Sequence, residues 1–266
     1  AIDIVENTLA KGNHKVYSRG PVIHNLEVIK QLEKKNLCIV NSLDNLDEAS
    51  TVILPSHGSP RHILNIAKRK KLRLIDVTCP YVSSVQKICS TLYKQGFKVI
   101  IIGDKKHPEI RALVDLAPGA YVIRNLKDIP KNKFSRQKIG IIAQTTQARD
   151  MFFEIVNKIL QKNPDTKEVH IFNTICLDTA RRQEEVKKLA SCVDTLFIVG
   201  SRISANTRRL LCIGRKINKR SYVVQTKDES IHKLLKNAKV AGLISGASTP
   251  NWLVKEIIQK VLRKRG

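Results

Sequence analysis

The stretch LIDVTCPYVSSV, residues 74–85, reads as a buried strand that runs into Cys79 and Pro80, with a helix following. The apolar run supplies the strand. Proline suits a first helical position, because its missing N–H would be unsatisfied there anyway. Taken singly, a cysteine at such a junction is a small buried hydrophobe. A second stretch of the same kind, NTICLDTARRQ at 173–183, changes that reading. Cys176 again stands between an apolar run and a helical pattern, 97 residues after Cys79.

The spacing repeats on either side. His107 follows Cys79 by 28 residues, and Ser204 follows Cys176 by 28. Each cysteine is later followed by another strand that ends in a small-hydroxyl loop, AQTT at 143–146 and SGAST at 245–249. One unit is therefore cysteine, helix, strand, polar loop, helix, strand, polar loop. Extended backward, His24 in VIHN and His57 in PSHG fill the two polar-loop positions of a first unit. That unit's cysteine is expected ahead of residue 1.

Strands are expected at 37–40, 51–54, 72–77, 97–102, 120–123, 138–142, 168–172, 195–199, 222–224 and 240–244. Helical patterns fill the gaps, among them 82–95, 148–161 and 181–189. Near-continuous Val/Ile/Leu strands separated by helices imply parallel sheets covered on both faces. The fold class expected is α/β: three small parallel-sheet domains in pseudo-threefold arrangement around a central site. Their bounds are 1–79 (with its first strand missing), 80–176 and 177–266. In such folds ligands bind beyond the carboxyl ends of the strands, where the polar loops lie.

Composition limits the function classes. A hydrophobic fraction of 42% supports packed cores and excludes global disorder. No apolar run reaches the length of a membrane span. The first residues, AIDIVENTLAKG, form an acid-bearing amphipathic helix pattern rather than a signal or transit peptide. Six cysteines without a secretory signal point to a reducing compartment. The chain carries 48 Lys+Arg against 23 Asp+Glu. A basic nucleic-acid-binding protein is one reading of that charge. Against it, only 5% of residues are aromatic, which leaves few platforms for base stacking, and the basic residues are dispersed; a solvated lysine-rich surface explains them better.

The junctions define a chemistry. Two cysteines at equivalent places, with a third implied, suit an iron–sulfur cluster that leaves one iron open. Zinc is the alternative, but its usual paired CxxC is absent. Cys38, Cys89, Cys192 and Cys212 fall inside strands or helices and read as core or surface residues. The polar loops supply His24, His57, His107, Ser204, Asn206, Thr145 and Ser248. Loops leading from strand ends into helices are natural anion sites, and these donors suit a diphosphate. Glu109, two residues after His107, is a candidate proton donor.

Taken in order, IDIVEN, VIHN, SHG, DVTCP, HPE, QTT, TICLDTARRQ, GSRISAN and GASTP resemble the 4-hydroxy-3-methylbut-2-enyl diphosphate reductase (IspH/LytB) family over essentially the whole chain. These are the last enzymes of the non-mevalonate isoprenoid pathway. The resemblance implies a [4Fe–4S] cluster held by three cysteines, of which Cys79 and Cys176 match two. It implies reductive loss of the substrate's 4-hydroxyl to give isopentenyl and dimethylallyl diphosphate. His24, His57, His107, Ser204, Asn206 and Ser248 match the diphosphate-binding set. Glu109 matches the proton donor to the leaving hydroxyl. Thr145 matches the hydroxyl beside the substrate alcohol, with Gln144 and Thr179 in support. A ferredoxin or flavodoxin is implied as electron donor, with a monomer in the cytoplasm or a plastid-type stroma.

The chain departs from the family pattern in places. The family's first cluster cysteine lies in a Gly-Phe-Cys-x-Gly-Val turn ahead of residue 1. Ala205 replaces the second serine of a pair, Ile203 an asparagine, and Asp178 a small residue. A truncated or diverged member without activity is therefore a further reading, and 1–266 alone is expected to take up little cluster.

Overall fold

In the computed structural model, described over residues 1–11, 15–226 and 231–262, the Val/Ile/Leu runs become strands of three parallel sheets. The first set of elements is α1 (Ile2–Lys11), β1 (Val16–Arg19), α2 (Leu26–Lys34), β2 (Leu37–Val40), β3 (Thr51–Leu54), α3 (Arg61–Arg69) and β4 (Arg73–Asp76). The second is α4 (Pro80–Lys94), β5 (Lys98–Ile102), α5 (Pro108–Leu116), β6 (Tyr121–Ile123), β7 (Lys138–Ala143), α6 (Arg149–Lys162) and β8 (Glu168–Ile171). The third is α7 (Leu177–Cys192), β9 (Thr195–Val199), α8 (Ala205–Ile217), β10 (Ser221–Val224), α9 (Ile231–Leu234), β11 (Ala241–Ser245) and α10 (Asn251–Leu262).

The sheet orders repeat. The first is β2-β1-β3-β4, the second β6-β5-β7-β8 and the third β10-β9-β11. All eight strand pairings are parallel among the described residues. In each sheet the two strands that lead into polar loops lie side by side, so those loops emerge at one end together. β1 was not among the expected strands, and it fills an inner place in the first sheet, between β2 and β3. The first sheet thus has four strands among the described residues. VYSR is too short and polar to announce a buried strand, yet Ser18 is fully buried and spends its hydroxyl on the Gly20 carbonyl at 2.7 Å.

By its contacts the chain divides into two compact units. One comprises 1–22 and 32–175 and holds the first two sheets. The other comprises 23–31 and 176–266 and holds the third. In the first unit, β5 is buried from Val99 to Ile102, with α4 and α5 supplying Val85, Cys89, Leu92, Ile110 and Leu113 to the same core. Two close approaches fix that packing. A Cβ on Gly140 would lie 2.7 Å from Leu92, so β7 takes glycine where α4 crosses it. A Cβ on Gly58 would lie 2.2 Å from the Gln86 amide, at a backbone φ of +78° that side chains rarely adopt. In the second unit, Val186, Ala190 and Leu210 from α7 and α8 cover one face of the sheet, and Leu253 and Ile257 of α10 pack with Phe197 and Val224. Among the described residues no helix is long and apolar enough to cross a membrane.

Candidate functional site

Both junction cysteines are helix N-caps with the same backbone, φ −58° and ψ 133°. Cys79 precedes α4 and Cys176 precedes α7, each half-buried. Neither spends its side chain on capping, so each thiol is left for other partners at a positive helix end. The remaining cysteines differ. Cys38 lies in β2, while Cys192 and Cys212 are exposed on helices. Cys89 is buried, donates to the Leu113 carbonyl at 3.5 Å, and has its thiol pushed up to about 12 by burial. Among the six, only Cys79 and Cys176 are half-buried helix N-caps whose side chains make no cap bond. They lie in different units.

The first unit assembles the acid. His107 caps α5, its Nδ1 accepting from the Glu109 backbone N–H at 3.3 Å, and Pro108 opens the helix. This carries Glu109 into the interior, at 1% exposure. Its Oε1 accepts the Thr145 backbone N–H at 2.7 Å, and its Oε2 accepts the Thr145 hydroxyl at 2.8 Å. Burial pushes the carboxyl up to about 7, with the two Thr145 bonds pulling the other way. Gln144 bridges the same loops, accepting the Asp104 backbone N–H at 3.1 Å and donating to Thr146 at 2.8 Å. His57 meets His107 edge to face, ring centroids 5.5 Å apart. Cys79 is tied to the His57 loop by its backbone N–H, which donates to the Ser56 carbonyl at 3.0 Å.

The second unit places polar side chains at the start of α8. Ser204 caps the helix, accepting the Thr207 backbone N–H at 3.4 Å. Asn206 is 3% exposed, and neither its amide nitrogen nor its amide oxygen has a hydrogen-bond partner among the described residues. The Ser248 hydroxyl is likewise buried without one. Buried polar groups are rarely left so, and here they gather beside a helix N-terminus. Asn25 connects the His24 loop to this place: it caps α2 through Oδ1 and donates Nδ2 to the Ser248 carbonyl at 2.9 Å. Burial and the Arg208 guanidinium hold the His24 imidazole below its ordinary range. Thr179 is buried on the first turn of α7, three residues after Cys176.

Thus the structure joins Glu109, Thr145, Gln144, His57, His107 and Cys79 within one unit, and His24, Ser204, Asn206, Ser248, Thr179 and Cys176 within the other. Sequence reading missed Asn25, Thr174, Thr207 and Arg182. Thr174 latches β7, accepting the Ala143 N–H at 2.8 Å and donating to the Ala143 carbonyl at 2.6 Å. Each of the four acts through a contact distant in sequence or through packing, which spacing does not reveal.

A family model described as LytB protein matches residues 1–262. The chain belongs to the LytB family. LytB relatives include the 4-hydroxy-3-methylbut-2-enyl diphosphate reductases of Aquifex aeolicus and Geobacter sp. The first is 36% identical, over 98% of this chain and 90% of the relative. The second is 36% identical, over 93% of this chain and 86% of the relative. This LytB chain is also similar to the solved structure of the E-1-hydroxy-2-methyl-but-2-enyl-4-diphosphate reductase from Plasmodium falciparum. The TM-score is 0.91 at 29% identity, over 97% of this chain and 81% of that one.

Proposed function

We propose that the chain reduces 4-hydroxy-3-methylbut-2-enyl diphosphate to isopentenyl and dimethylallyl diphosphate, with loss of the 4-hydroxyl as water. The observation that carries this is Glu109: a carboxyl buried at the end of a polar strand-end loop and raised to about 7, so that a good part of it keeps its proton near neutral pH. Breaking an allylic C–O bond by two electrons and two protons needs such a group, because hydroxide leaves poorly and water leaves well. Glu109 donates one proton to the departing oxygen; the second goes to carbon. Thr145 orients the carboxyl through both its donors. Cys79 and Cys176 would hold a [4Fe–4S] cluster, which when bound supplies the electrons to the C–O bond.

Ser204, Asn206 and Ser248, with the histidines His24, His57 and His107, bind the diphosphate. Asn206 is the strongest support, since its buried amide lacks any other partner among the described residues. Gln144 and Thr179 support the loops that carry these groups. The electron donor is a ferredoxin or flavodoxin, and the protein works as a monomer in a reducing compartment, cytoplasm or plastid-type stroma.

The test is Glu109→Gln in the cluster-loaded enzyme. Turnover should fall by roughly 100- to 10,000-fold, the usual loss for a positioned general acid. Binding of inorganic pyrophosphate should persist. Near-normal turnover would remove Glu109 from the reaction and this reading with it.

A further inference from the structure

Asp178 and Arg182 lie one turn apart on α7, with Asp178 Oδ2 accepting Arg182 Nε at 2.9 Å. The same guanidinium donates Nη1 to the Ser245 carbonyl at 2.8 Å and approaches the Ser245 hydroxyl at 3.1 Å. All three residues belong to the second unit. Asp178 stands two residues after Cys176, and Ser245 ends β11 three residues before Ser248. One guanidinium therefore spans the cysteine junction at the start of α7 and the root of the loop that carries Ser248.

A half-exposed ion pair at this helical spacing is a weak contact on its own. The bond to the Ser245 carbonyl is different in kind. It satisfies a strand-end acceptor with a charged donor and runs 63 residues along the chain. Arginine suits the place, since its planar fork reaches both a carboxylate and a carbonyl in fixed directions, as an ammonium cannot. Asp178 faces the fork from the cysteine side and sets its plane.

We infer that Arg182 is a positioning residue that fixes the Cys176 junction against the Ser248 loop, with Asp178 orienting the guanidinium. This rests on the proposed reading of the Ser248 loop as part of a diphosphate site. Ordering of that loop by an anion is then passed to the backbone that presents Cys176.

The measurement is cysteine-by-cysteine alkylation of metal-free protein by iodoacetamide, resolved by peptide mass spectrometry. Arg182→Ala should raise the Cys176 rate several-fold and leave Cys79 unchanged. Asp178→Ala should raise it less, and Arg182→Lys, which keeps the charge but loses the fork, should fall between. Inorganic pyrophosphate should slow Cys176 alkylation in the wild type and lose that effect in Arg182→Ala. An unchanged Cys176 rate in both Arg182→Ala and Asp178→Ala overturns the inference, as does pyrophosphate protection that survives Arg182→Ala. Calorimetry of pyrophosphate with the wild type separates the two readings. No binding there overturns the diphosphate site, while the alkylation comparison without pyrophosphate still decides the role of Arg182.

Discussion

Thr145 reaches both oxygens of Glu109, its backbone N–H to one at 2.7 Å and its hydroxyl to the other at 2.8 Å. Both bonds favour the charged carboxylate, yet burial outweighs them and the group sits at about 7. The balance is adjustable, and that gives the first prediction. Thr145→Val removes the hydroxyl bond and keeps the shape. The carboxyl then loses a bond to its charged form and its pKa rises. A general acid works when protonated, so activity declines as pH passes its pKa. The alkaline limb of the pH–rate profile should move up by about one unit, the equivalent of one hydrogen bond to a charged group. A limb that stays in place would mean the hydroxyl does not govern Glu109.

Stability should carry the same signature. The folded pKa of Glu109, about 7, lies above the ordinary carboxylate value of 4.5. Between those values the folded state binds the extra proton, so stability falls as pH rises from 4.5 towards 7 and levels off above. The full effect is on the order of 3 kcal/mol. Glu109→Gln keeps an acceptor for the Thr145 N–H and has no charge to bury. The variant should therefore gain stability over the wild type at pH 8, and the advantage should vanish near pH 4. Parallel denaturant titrations at the two pH values measure this; a pH-independent difference would contradict the buried, proton-bearing state.

Much of this arrangement was legible in the sequence. Ten strands could be read because Val/Ile/Leu runs bounded by turn residues have few other homes in an α/β chain, and each matches an observed strand within two residues at either end. β1 was hidden because VYSR mixes apolar and polar positions, and its burial comes from pairing with β2 and β3. The start of α7 was read four residues late: Leu177 is 69% exposed, so the first turn shows no apolar period. The candidate acid, cysteines and anion donors were readable because chemistry of that kind gathers at strand ends. Arg182 and Asn25 were not, since each matters through a carbonyl far along the chain.

Ala205 opens α8 directly after the Ser204 cap, where a hydroxyl would join the donors around Asn206. Ala205→Ser should tighten pyrophosphate binding by about 0.5–1.5 kcal/mol, the net value of one hydrogen bond. That is roughly two- to tenfold in Kd by calorimetry. Unchanged affinity would place the anion away from the first turn of α8.

Thr207 stands between the loops that follow β9 and β11. Its hydroxyl is fully buried, lacks a partner among the described residues, and lies 2.6 Å from where a Cβ on Gly200 or on Gly246 would stand. It is a wedge between the ends of β9 and β11. Gly246 is the cleaner of the two to test, because its other neighbours would be no closer than 3.4 Å. Gly246→Ala should drive the Ser248 loop away from α8, destabilise the protein by about 1–3 kcal/mol and weaken pyrophosphate binding. Thr207 is β-branched in a helix, so its rotamers are few, and one of the two alternatives puts its methyl in the hydroxyl's place. Adding Thr207→Ala should therefore restore both stability and binding to Gly246→Ala. The four proteins of this cycle, compared by thermal melting and calorimetry, give the coupling directly. If the double variant binds no better than Gly246→Ala alone, the Thr207 hydroxyl is not what sets the gap between the loops.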